Sequence, residues 1–164
     1  MICPRSRILT AAAILFSLIG HPLVAGAQKT TVPANVLASS PDKPVIKNQL
    51  QMAARLGRKA LAGFEATSRD ESVPIDENVR QAARDTYALI RSARHGLELS
   101  LVNQKFPDPI DQLNFKKLTD AWNMSRYPVD KESWAVPRSE YLLTSSSELR
   151  RAMQVVDQVL TLMP

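Results

Sequence analysis

Beyond residue 27 this chain contains no cysteine and a single histidine. Its one cysteine is Cys3, and of its two histidines His21 lies early, leaving His95 alone. Residues 28–164 therefore offer no disulfide, no thiolate nucleophile and no sulfur metal site. One histidine is too few to build both a catalytic triad and a metal site, and makes either a poor reading. Glycine is scarce as well. Only Gly57, Gly63 and Gly96 follow residue 27, which is too few for a turn-rich β fold. No window shows sustained strand alternation, and there is no internal repeat or low-complexity tract. Cohesion has to come from apolar packing between helices.

The first twenty-seven residues read as a secretory signal peptide. Arg5 and Arg7 give a positive start, Ile8 to Gly20 is apolar apart from Thr10 and Ser17, and Ala25-Gly26-Ala27 places small residues at a cleavage site before Gln28. The apolar run is about thirteen residues, whereas a spanning helix needs about twenty. Cleavage is the expectation, with no stable membrane span afterwards. It would remove Cys3, His21 and two of the charges behind the formal net charge of +5. The sequence pI of 9.6 then overstates the basicity of what remains. Residual basicity of that size suits solubility rather than nucleic-acid binding.

Residues 28–42 mix small, polar and proline residues without periodicity and read as a flexible tether. Residues 43–164 read as one helical domain. The first helix is expected over about 44–68, with Asp42 as cap, Pro44 in the first turn, and Ile46, Leu50, Ala53, Gly57, Ala60, Leu61 and Phe64 along one face. Gly57 in that stripe costs helix propensity, so a close helix–helix approach is its expected compensation. Ser68 to Ile75 carries turn chemistry. Asp76 caps a second helix to about 104, its apolar face running from Val79 through Leu89 and Ile90 to Leu97 and Leu101. Gly96 is placed to break or bend it.

Asp108 and Pro109 open a third helix to about 126, carrying Ile110, Leu113, Leu118, Ala121, Trp122 and Met124. Asp111 reads as a first-turn charge favouring the helix dipole. A fourth helix begins near Ser139, or at Ser145 through a capping box with Glu148, and presents Leu142, Leu149, Met153, Val156, Leu160 and Met163. Four amphipathic helices on short links give an all-α fold, an antiparallel four-helix-bundle-like domain.

The most distinctive surface lies on the second helix. Arg80, Arg84, Tyr87, Arg91 and His95 recur at three-four spacing and share a face about a third of a turn from the apolar stripe. Stacked guanidiniums around a phenol suit carboxylates or phosphates. The plainer reading is a solvated face balanced by Glu77, Asp85 and Glu98. Trp122, Tyr127 and Trp134 gather around the third link, either to stack on a ligand or to plug the bundle end. Met52 and His95 are haem-ligand types, but Met52 lies off the core stripe and no C-x-x-C-H attachment exists. No cofactor and no metal site are expected.

Pro74-Ile75-Asp76-Glu77-Asn78-Val79-Arg80, then Gly96-Leu97, Val102, Phe106, Ile110 and Trp122, then Arg150 with Met153, Val156 and Asp157, together resemble the exported all-helical chorismate mutases. The resemblance is scattered over residues 55–160. It implies a cofactor-free helical isomerase that converts chorismate to prephenate, with arginines and a lysine holding two carboxylates and the ether oxygen. Arg80 and Arg150 are the matching positions, and Arg58 and Arg69 stand at similar spacing. Where the family has glutamine or glutamate on the third helix, Lys116 or Lys117 stands here.

Two functional expectations follow. One is an exported binding protein, periplasmic or secreted, that meets another exported protein or a small anionic ligand through Arg80, Arg84, Tyr87, Arg91 and Arg150. The other is the chorismate-mutase-like isomerase. Oligomeric state is open on sequence alone.

Overall fold

The computed structural model describes residues 42–70, 72–105, 107–130 and 135–163. The expected signal peptide, nearly all of the tether, and Trp134 lie outside these. The described residues form α1 (Lys43–Arg69), α2 (Glu77–Val102), α3 (Pro109–Arg126), a 3₁₀ turn (Tyr127–Val129) and α4 (Arg138–Leu162). No strand occurs among them. The fold is an all-α bundle.

Capping sets the helix starts. The Asp76 carboxylate accepts from the Asn78 amide at 2.9 Å, and Asp108 accepts from the Ile110 amide at 2.9 Å. These satisfy two of the amides that a helix start leaves without partners. Asp42 departs from expectation. It holds the cap position of α1, but its side chain makes no cap bond. Its carbonyl accepts from Val45 and Ile46 instead. α4 begins at Arg138, close to the Ser139 alternative. Ser145 is not a cap: it lies inside α4 and is fully buried. Gly96 does not break α2, which runs unbroken past it to Val102.

The helices form a ring in which α1 meets α2 and α4, and α3 completes the ring against both. Cross-helix contacts fix the antiparallel sense. Along α1 and α2, Gln49 reaches Ser92, and Gly63 meets Val79. Along α1 and α4, Lys47 reaches the Met163 carbonyl, Arg58 pairs with Asp157, and Glu65 with Arg150. Residue numbers rise on one helix as they fall on the other. The starts of α1 and α3 share one end, where Lys43 pairs with Asp111 at 3.0 Å.

Two apolar clusters fill the interior. The larger gathers Ile46, Leu50, Ile90, Leu97, Leu118 and Val156 with their neighbours near the end where α1 starts. The smaller gathers Ala60, Phe64, Val79, Tyr141, Leu142 and Leu149 toward the other. Phe64 meets Tyr141 edge-on at 6.0 Å between centroids. Each fully buried leucine, isoleucine or phenylalanine contributes about 1.5–3 kcal/mol relative to exposure.

α3 corrects the sequence expectation. Ile110 and Leu113 face solvent at 47% and 46% exposure. The buried positions are Asp111, Asn114, Leu118, Ala121 and Ser125. Leu118 and Ala121 set the phase of the helix against its neighbours. The three-four repeat then carries Asp111 and Asn114 inward with them. Asp111 is the first-turn charge expected, and it is also buried and paired with Lys43. Neither amide atom of Asn114 has a hydrogen-bond partner among the described residues.

Candidate functional site

The polar face of α2 separates into three places. Its middle and later turns, with α3, line a groove of about 520 Å³ bounded by Tyr87, Ala88, Arg91, Ser92, Arg94, His95 and Trp122. Of the expected residues, Tyr87, Arg91 and His95 come together here. Arg80 and Arg84 do not.

The groove wall is aromatic. Tyr87 and Trp122 stack across the α2–α3 seam with centroids 6.1 Å apart and planes at 27°. Behind them the Arg94 guanidinium lies 4.7 Å from the Phe115 centroid and 5.4 Å from that of Trp122. Arg94 also donates to Thr119 Oγ1 at 3.1 Å and pairs with Glu98 at 3.3 Å. A guanidinium held by a hydroxyl, a carboxylate and two ring faces fixes the indole in place. Trp122 Nε1 is buried without an acceptor among the described residues. The indole therefore offers the groove its ring surface and not its N–H.

The charges of the groove are unevenly engaged. Glu98 Oε2 receives both Arg94 and His95, the latter at 3.4 Å from Nδ1. Ser92 accepts from Gln49 at 3.1 Å. Arg91 is exposed, and no ion pair or hydrogen bond engages it among the described residues. It stands one helical turn from Tyr87, within reach of whatever lies against that ring.

Arg84 is turned back along its own helix, paired with Glu77 and held by Gln81 at 2.9 Å. This matches the plainer reading of a balanced, solvated face. Arg80 lines a separate cavity of about 270 Å³ with Ile75, Val136, Arg138 and Tyr141. Arg138 is fixed there by donating to the Val73 carbonyl, and Tyr141 by donating to the Pro128 carbonyl at 2.8 Å.

Arg150 is not among the residues lining that cavity. It reaches across to Glu65 on α1, on a face where its side chain is 56% exposed. Arg58 is likewise engaged by Asp157, at 2.6 and 2.8 Å. Lys117 donates to Gln158 at 2.7 Å, and Lys116 and Arg69 are exposed.

The aromatic trio also divides. Trp122 is a groove wall, not an end plug. Tyr127 stacks on Tyr141 at 6.2 Å and packs against the smaller cluster, which is the plug role. Sequence reasoning missed Arg94. Its signal was the i, i+4 spacing to Glu98, which says nothing of the rings of α3 beneath it. Among the described residues no three histidine, cysteine, aspartate or glutamate side chains stand together as metal ligands. No helix there is long and apolar enough to cross a membrane. No protein-family model, no curated protein and no solved structure matches the chain.

Proposed function

We propose that this chain is an exported binding protein that recognises an anionic group in the groove between α2 and α3. The observation that carries the reading is Arg91. It stands without a partner among the described residues, in a groove walled by the Tyr87–Trp122 pair, while the cationic neighbour Arg94 is already engaged. An exposed guanidinium beside flat aromatic surface is a common recognition pair for carboxylates and phosphates. Concave sites with aromatic walls and few polar groups are the usual form of a binding pocket. Export is supported by the charged start, apolar run and small-residue site of residues 1–27.

The test is a titration of the purified protein with a panel of anions: inorganic phosphate, simple and aromatic carboxylates, and an acidic peptide. The tryptophan signals are followed throughout. At least one class is expected to bind saturably, and Arg91→Glu to abolish it. Silence from every anion would end the reading. For export, the full chain expressed in a bacterial host is expected to appear outside the cytoplasm with Gln28 at its N-terminus. Retention in the cytoplasm uncut would remove that part.

A further inference from the structure

We propose that the ligand of the α2–α3 groove is a small monocarboxylate carrying an aromatic ring. This rests on the binding reading above and narrows it.

Charge comes first. The basic groove side chains are Arg91, Arg94 and His95, and Glu98 Oε2 contacts the last two at 3.3 and 3.4 Å. One carboxylate offsets Arg94, so of the two guanidiniums in the groove Arg91 alone is left uncompensated among the described residues. A single negative charge balances it. A phosphate dianion would carry a second negative charge with no free guanidinium in the groove to meet it.

Size and lining come second. A groove of about 520 Å³ is far larger than a carboxylate, so the anion arrives attached to a body. The surfaces meeting that body are the Tyr87 ring, the Trp122 ring and the small side chain of Ala88. Because Trp122 Nε1 is buried, this wall offers π-surface and no indole donor. Flat rings gain from such surfaces by offset or edge-on contact. Arg94, held between Phe115 and Thr119, keeps the wall in place before any ligand arrives, which lowers the ordering cost of binding.

A small molecule is favoured over a protein partner by the lining. None of the exposed large apolar side chains, among them Val102, Ile110, Leu113 and Leu143, lines the groove. Protein interfaces centre on a patch of large apolar side chains inside a polar rim, whereas the apolar surface here is confined to a short concavity.

The two tryptophans make the test direct, since the chain has only Trp122 and Trp134. Indole N–H signals are followed by NMR, with Trp134→Phe identifying that of Trp122. Phenylacetate is expected to shift the Trp122 signal saturably. Phenylacetamide lacks the charge and acetate lacks the ring, and both are expected to bind at least tenfold more weakly. Inorganic phosphate is expected to leave the signal unmoved. Arg91→Gln is expected to weaken phenylacetate tenfold or more, and Lys59→Gln, exposed on α1 outside the groove, to leave it unchanged. Equal binding of phenylacetamide, or an unaltered affinity in Arg91→Gln, would overturn the inference. If phosphate or an acidic peptide moves Trp122 at lower concentration than phenylacetate, the inference falls while the binding reading stands. If no anion moves it, both fall.

Discussion

Gly63 on α1 and Val79 on α2 approach so closely that a Cβ on the glycine would fall within the valine side chain. Gly57 has the same relation to the thioether end of Met153 on α4. The two glycines thus set the spacing of α1 from both of its neighbours. They differ in what an added methyl would displace. A valine is stiff at χ1, whereas the end of a methionine can swing aside. Gly63→Ala is expected to destabilise by about 1–3 kcal/mol through overpacking, less up to about 1 kcal/mol returned by helix propensity. Gly57→Ala is expected to fall within about 1 kcal/mol of the parent. Urea unfolding of both variants measures the difference, and equal losses would contradict the account.

Asn114 is fully buried, and its amide is unpartnered among the described residues. A buried polar group without a bond costs about 1–3 kcal/mol. Leucine has nearly the same branching, so Asn114→Leu is expected to raise stability by about 1 kcal/mol or more. A thermal melt reads this directly, and a loss of stability would show that the amide makes a contact worth keeping.

Lys43 and Asp111 form an ion pair with unequal partners, since the lysine side chain is 40% exposed and the aspartate 3%. The contact is an ion pair without hydrogen-bond geometry, so removing the lysine leaves a buried carboxylate without its counter-charge. Lys43→Ala is expected to cost about 1–3 kcal/mol, discounted from a fully buried pair because the lysine is exposed. In an Asp111→Asn background the same change should cost little, and a double-mutant cycle measures the coupling.

Arg94 acts on the groove through Trp122 and is a positioning residue. Arg94→Lys keeps the charge but loses the planar stack on Phe115 and Trp122. It is expected to weaken the near-ultraviolet circular dichroism of the aromatic wall and to lower stability by about 1–2 kcal/mol. An unchanged aromatic spectrum would remove Arg94 from this role.

Asp70 supplies a pH prediction. Its carboxylate accepts from the Ser72 hydroxyl at 2.6 Å and the Ser72 amide at 3.1 Å. These bonds hold its pKa below the ordinary 3.8, the hydroxyl contributing most. A depressed carboxyl pKa stabilises the folded state above the unfolded value, and that contribution fades as pH falls through the folded value. Ser72→Ala is expected to raise the Asp70 titration midpoint toward 3.8 by NMR. A midpoint that stays put would assign the shift to another cause.

Much of the fold was legible because helices report themselves locally. The Asp76 and Asp108 caps, the proline breaks and the stripes of α1, α2 and α4 follow from short-range spacing. Gly57 announced a close approach by being an unfavourable helix residue within an apolar stripe. α3 resisted because its apolar residues fit more than one helical phase. Ile110 and Leu113 looked like core until Leu118 and Ala121 were placed against neighbouring helices.

The candidate site was half legible. Shared spacing identified Tyr87, Arg91 and His95 as one face, but the same spacing also gathered Arg80 and Arg84, which the fold sends elsewhere. What the sequence by itself determined is the helical class, the helix limits to within a few residues, and the absence of thiols beyond residue 27. Periodicity and caps act within one or two turns, and composition needs no structure at all. Only the tertiary structure decided that Arg91 stands in a groove without a partner among the described residues, that Trp122 meets Tyr87, and that Asn114 and Asp111 turn inward. Each of those depends on residues tens of positions apart in the chain, whose meeting is set by how whole helices pack.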